Sequence, residues 1–104
     1  MVEASTHLPE WRKAIVDACS VAITEQGWEK ALGACRVEAT FFLPKPKTSK
    51  LDLPIKMPDV DKLSRASLDS LTMAGVWGDD SQCVDLVAMK RFGNPGVCIR
   101  VIEV

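Results

Sequence analysis

Four aspartates flank one short helical pattern in "MPDVDKLSRASLDSLTMAGVWGDDSQ", residues 57 to 82: Asp59 and Asp61 before it, Asp79 and Asp80 after it. Carboxylates are hard oxygen donors, the ligands magnesium prefers in near-octahedral geometry with several retained waters. A cation held this way can polarise a phosphodiester, activate a water and stabilise a leaving oxygen. On a helix, residues two apart point about 200° apart, so Asp59 and Asp61 share a ligand only on extended backbone. Pro58 favours extended geometry at Met57, and Asp61 is a good N-cap, which puts Asp59 to Asp61 just outside the helix. Asp79 and Asp80 follow Gly75 and Gly78, where a third carboxylate could complete an oxygen cage.

A reading without chemistry fits the same spacing. Asp61 could be a plain N-cap with an i,i+4 ion pair to Arg65, and Asp79 and Asp80 ordinary turn residues. An EF-hand is excluded, because Leu63 stands where a third ligand belongs. The D-x-D of sugar transferases does not suit a chain too short for a nucleotide-binding domain. Spacing alone leaves the metal site and the solvated caps both open.

Other chemistries find less support. The cysteines at 19, 35, 83 and 98 form no C-x-x-C pair, and His7 is the single histidine, so a zinc site is not expected. Reduced, buried thiols are the expectation for the cysteines, and a surface position for His7. The net charge of −1 carries no overall footprint for nucleic acid. Its distribution is less even. "KPKTSKLDLPIK" sets Lys45, Lys47, Lys50 and Lys56 against the single acid Asp52, and a basic loop beside an acidic cluster can grip phosphates.

The elements that must position these groups can be read from periodicity. "LPEWRKAIVDACSVAITEQG" reads as a helix, with Trp11, Ile15, Ala18, Ala22 and Ile23 on one stripe, Pro9 in the first turn and Gly27 as the stop. "CRVEATFFLP" alternates with period two: Val37, Ala39, Phe41 and Leu43 face one way, Arg36, Glu38 and Thr40 the other. The segment from 44 to 58 is long for a small domain, and loops of that length are usually functional or disordered. A second helix is expected from about Asp61 to Ala74, burying Val60, Leu63, Leu68, Leu71 and Ala74 and ending at Gly75. "CVDLVAMKR" and "VCIRVIEV", joined by "GNPG", are expected to pair as an antiparallel hairpin. The order predicts an α+β fold, a single domain over residues 1–104, with two helices packed on one face of a small antiparallel or mixed sheet. No apolar run approaches the roughly 18 residues needed to cross a bilayer, and no signal pattern opens the chain, so a soluble cytoplasmic protein is expected.

At the acidic stretch the sequence resembles the RusA-type Holliday-junction resolvases, whose hallmark looks like "PDxDNLxKxxxDaLxxxGvwxDDsQVv". The chain follows that pattern from Met57 to Val104, and its first helix and "RVEATFFLPKPK" strand keep the family's order. The resemblance implies a magnesium-dependent endodeoxyribonuclease of phage or prophage origin, with manganese as a substitute ion. It implies Asp59, Asp61 and Asp80 as metal-binding catalytic carboxylates, Asp79 as a supporting neighbour, and a homodimer that nicks symmetric strands of four-way DNA. The expected products carry 5′-phosphate and 3′-hydroxyl ends. Lys45, Lys47, Lys50, Lys56 and Lys62 are the expected contacts to branched DNA.

Three departures accompany the resemblance. Lys62 replaces the usual asparagine. Arg65 replaces an essential lysine, keeping the charge but as a planar fork rather than a compact ammonium. The family's strand before the first helix has no counterpart at "MVEASTHLPEW", which is expected either to leave a sheet edge unpaired or to remove part of the DNA-binding surface. Two alternatives stay open: a catalytically silent relative that binds branched DNA or serves as a scaffold, and a small acidic interaction domain.

Overall fold

The structure, a computed structural model, describes residues 8–56 and 58–104; His7 and Met57 lie outside them. Two helices and three strands follow in the order α1 (Leu8–Gln26), β1 (Cys35–Leu43), α2 (Val60–Met73), β2 (Cys83–Phe92) and β3 (Gly96–Glu103). A single 3₁₀ turn, Asp80–Gln82, leads into β2. The expected α+β class is the one observed.

β1 is the centre of the molecule. Its alternation is strict: Cys35, Val37, Ala39, Phe41 and Leu43 are all buried, while the residues between them are half-exposed. The sheet order is β2-β1-β3, with β2 parallel to β1 and β3 antiparallel to it. The expected β2–β3 hairpin is therefore corrected: the two strands flank β1 instead of pairing with each other. The link at 93–95 is short, yet four Cα steps reach about 13 Å, more than the roughly 9.6 Å between strands two places apart. A tight connection thus does not by itself decide pairing. β1, α2 and β2 form instead a crossover unit, the connection that parallel neighbours require.

Both helices end in the same device. Gly27 has φ 65° and Gly75 φ 81°. At the end of α2, Gly75 N–H donates to Thr72 O at 3.1 Å and Val76 N–H to Leu71 O at 3.0 Å. This Schellman pattern needs a left-handed residue at its pivot, which glycine supplies without a Cβ penalty. Both glycine stops were legible in the sequence.

Helix faces differ in part from the expected stripes. On α1, Trp11 and Ile15 are buried and Ala22 and Ile23 half-buried, but Ala18 is exposed. On α2, Leu63 and Leu71 are buried as expected, Leu68 and Ala74 are half-buried, and Val60 is exposed. The rest of the buried face is small and polar: Ser64, Ala66, Ser67 and Ser70. Each serine donates to the carbonyl four residues back, at 2.7, 2.8 and 2.7 Å, so no hydroxyl is left unsatisfied. Small, internally bonded side chains let α1 pack closely, and Ser70 Oγ also lies 3.4 Å from Arg12 O.

The core divides into two clusters along β1. One joins Trp11, Ala39, Phe41, Leu43 and Leu63, with the Trp11 and Phe41 rings edge to face at 6.3 Å. The other joins Ala31, Cys35, Val37, Leu71, Val76 and Trp77. The opposite face of the sheet is open and ionic: Arg36 bonds Glu38 and Asp85, and Arg100 approaches Glu38 at 3.8 Å. All four cysteines are free; Cys35 is buried, Cys19 and Cys83 are half-buried, and Cys98 is exposed on the open face, against expectation. Burial pushes the Cys19, Cys35 and Cys83 thiols up, keeping them protonated. No helix among the described residues is long and apolar enough to cross a membrane.

Leu63→Ala should cost about 2–5 kcal/mol through cavity formation at the α2–β1 contact. Val60→Ala, at an exposed position, should stay within about 0.5 kcal/mol. Urea unfolding of the two variants checks the assignment of the buried face.

Candidate active site

Asp59 is the N-cap of α2, with extended backbone at φ −72° and ψ 144°, and its carboxylate makes no capping hydrogen bond. The helix thus starts at Val60, earlier than expected, and Asp61 lies in its first turn instead of capping it. Both carboxylates are exposed. The alternative ion pair between Asp61 and Arg65 is not formed; neither residue takes part in the ion pairs found among the described residues. The N-terminus of α2 accordingly presents two uncommitted carboxylates, with Lys62 and Arg65 exposed in the turn that follows. Both carboxylates stand at the positive end of the α2 dipole.

Asp79 and Asp80 sit at the other end. Asp79 is committed to its own turn: its Oδ2 accepts from Ser81 N–H at 3.0 Å, and Gln82 closes the reciprocal half of a capping box. Hydrogen bonds from Ser81 hold the Asp79 carboxyl below its usual range. Asp80 is half-buried, and its Oδ1 accepts from the Thr72 hydroxyl in the last turn of α2. That hydroxyl in turn accepts from Trp77 Nε1–H at 2.6 Å. The negative end of the helix dipole and two adjacent carboxylates together make this end attractive to a cation.

The 14-residue helix between the two ends spans about 20 Å. Asp59 and Asp61 therefore do not meet Asp80 within one chain. Among the described residues no group of three or more His, Cys, Asp or Glu side chains is gathered closely enough to hold a metal ion. The donor chemistry suits a hard divalent ion, since every candidate ligand is a carboxylate oxygen. The geometry of a single chain supplies two such ligands at one end and one or two at the other.

The basic loop is folded rather than loose. Pro54 and Pro58 are buried, and the loop borders a cleft of about 610 Å³ lined by Leu43, Pro44, Pro46, Ile55 and Phe92 among others. Lys45 Nζ lies 5.7 Å from the centre of the Phe92 ring, and Lys45, Lys47, Lys50 and Lys56 are all exposed. Lys90 ties the end of the loop down, donating from Nζ to Lys56 O at 2.9 Å and Pro58 O at 3.0 Å. It thereby fixes the backbone that delivers Asp59.

Four residues with these roles escaped the sequence reading: Thr72, Trp77, Gln82 and Lys90. Gln82 is the most connected of them. Its Oε1 accepts from Gly78 N–H at 2.8 Å and Asp79 N–H at 3.1 Å, and its Nε2 donates to Ala31 O and Gly33 O, both at 3.0 Å. One amide thus staples the Asp79–Asp80 turn to the segment before β1. The only signal was the terminal glutamine and the tryptophan of the quoted motif, whose bonding partners no spacing reveals.

Comparison with known proteins agrees with the motif. The family described as "Endodeoxyribonuclease RusA" matches residues 3–102. The "Crossover junction endodeoxyribonuclease rusA" of Enterobacteria phage 82 is 39% identical over 59 residues, covering 42% of this chain and 49% of that protein. The chain spans about half the length of this curated relative.

Gln82→Ala should open the turn without unfolding the domain. Hydrogen exchange is expected to quicken at the Gly78 and Asp79 amides, while the amides of β1 keep their protection.

Proposed function

The chain belongs to the endodeoxyribonuclease RusA family, and on that premise we propose that it is a magnesium-dependent endonuclease that resolves four-way DNA junctions by paired nicks. Manganese would substitute for magnesium. Asp59, Asp61 and Asp80 are the proposed metal ligands, with Asp79 shaping the turn that carries Asp80. A bound divalent ion would polarise the scissile phosphodiester and lower the pKa of an attacking water. Arg65, exposed one turn beyond Asp61, would neutralise charge on the scissile phosphate. Lys45, Lys47, Lys50, Lys56 and Lys62 would track the DNA backbone, and the setting would be the cytoplasm of a phage-infected or prophage-bearing bacterium.

The observation that carries this reading is the placement of carboxylates at opposite ends of α2, uncommitted at its N-terminal end and bonded to Thr72 through Asp80 at the other. It also supports a homodimer. A two-fold pair that lays the two α2 helices antiparallel brings the Asp59–Asp61 end of one chain to the Asp80 end of the other. The helix dipoles then run in opposition, which is favourable, and each pair of ends gathers three carboxylates. Two equivalent sites result, related by an axis that matches the near two-fold symmetry of a four-way junction.

Asp59→Asn and Asp80→Asn should each lower cleavage of a synthetic junction by about 100-fold or more, the scale of losing one preorganised charge-stabilising group. Mixing the two variants should restore single-strand nicks, because a heterodimer contains one intact shared site. Mixtures that stay inactive would place the site within one chain. Junction binding without cleavage by the native chain would support the silent, DNA-binding alternative.

The loop lysines should act on the phosphate backbone without reading bases. Lys50→Ala is expected to weaken junction binding about equally across sequences. It should also reduce the slope of log affinity against log salt by about 1 in a gel-shift titration.

A further inference from the structure

Trp77 is fully buried, and its indole N–H is the one polar group it must satisfy. It does so on Thr72 Oγ1 at 2.6 Å. A hydroxyl has one hydrogen to give, and Thr72 has two acceptors within reach: Leu68 O at 3.2 Å, the usual back-bond of a helical threonine, and Asp80 Oδ1, which is nearer. A carboxylate is the stronger acceptor, because a hydrogen bond to an ionised group is shorter and roughly twice as strong as one between neutral groups. The indole donation fills one lone pair of the hydroxyl and leaves its hydrogen directed at the carboxylate.

We propose that Thr72 is a positioning residue, which takes its orientation from the buried Trp77 indole and holds the Asp80 carboxylate through Oδ1 for an incoming divalent cation. The assignment rests on the reading of Asp80 as a metal ligand. Each donor in the series Trp77, Thr72, Asp80 polarises the next, and the first is locked by the core cluster around Cys35, Val37 and Leu71. Asp80 is thus held by the hydrophobic core through two hydrogen bonds, although it lies in a turn. Hydrogen-bonded partners of metal-ligating carboxylates commonly set affinity, and their loss costs 10–100-fold. Nothing in the pattern of the helix marks Thr72, a polar residue on its half-exposed side.

The test is Mn²⁺ binding to the full chain, measured by the electron paramagnetic resonance of free Mn²⁺, beside the melting temperature of the metal-free protein. Thr72→Val keeps the shape and removes the hydroxyl; it should weaken Mn²⁺ binding by about 10-fold or more. Thr72→Ser retains the hydroxyl and should bind within about 2-fold of the native chain. A structural role alone would shift melting temperatures without separating valine from serine in Mn²⁺ affinity, and that result would overturn the proposal. If Thr72→Val does not fold cooperatively, Trp77→Phe removes the indole donor together with part of the ring volume; unchanged Mn²⁺ binding there would also overturn the proposal. Asp80→Asn separates the two levels. Full Mn²⁺ affinity in that variant removes Asp80 as a ligand, and the role of Thr72 with it. Weakened binding in Asp80→Asn together with native binding in Thr72→Val defeats the role of Thr72 alone.

Discussion

The packing of α2 against β1 is the constraint on which the rest of this molecule depends. Leu63 and Leu71, two turns apart, anchor the helix in the two core clusters, so its axis and both of its ends are fixed by buried apolar contact. The candidate carboxylates occur at those ends and nowhere between. A rigid rod about 20 Å long holds them apart, and no side-chain rotation can close that gap. Separation, rather than convergence, is what one chain provides, and in the proposed homodimer a second chain would convert it into a compact site.

The two ends are held by different means. At the N-terminal end the backbone is aimed by Lys90, whose ammonium bonds the carbonyls of Lys56 and Pro58 just before Asp59. The aspartates themselves remain free and solvated, as suits ligands that would have to meet a partner. At the C-terminal end Asp80 is tied through Thr72 to Trp77, and the turn that carries it is stapled by Gln82. One end is adaptable and the other preorganised. A site assembled from both would place little ordering cost on binding at the rigid half.

Much of the candidate site was legible because its signals are local. Asp59, Asp61, Asp79 and Asp80 stood out by residue type, and the glycine that turns the chain between the two groups stood out by position. The supporting residues were not legible. Thr72 and Gln82 look like solvated polar residues, Trp77 like ordinary core, and Lys90 like one more strand lysine. Each acquires its role from a partner distant in sequence or from an acceptor placed by a turn.

By itself the sequence determined the elements, the buried face of β1 and the glycine stops, because alternation, helical spacing and left-handed pivots are properties of neighbouring residues. It could not determine that β1 lies between β2 and β3, since the turn from Phe92 to Gly96 reaches equally well across a strand or back along one. Only the tertiary structure decided that order, through burial of β1 on both edges and one face. Only it decided, too, that the four aspartates of residues 57 to 82 lie in two pairs at opposite ends of α2 instead of in one cluster. Spacing in sequence says nothing of distance across a folded helix, and α2 is long enough to make the difference.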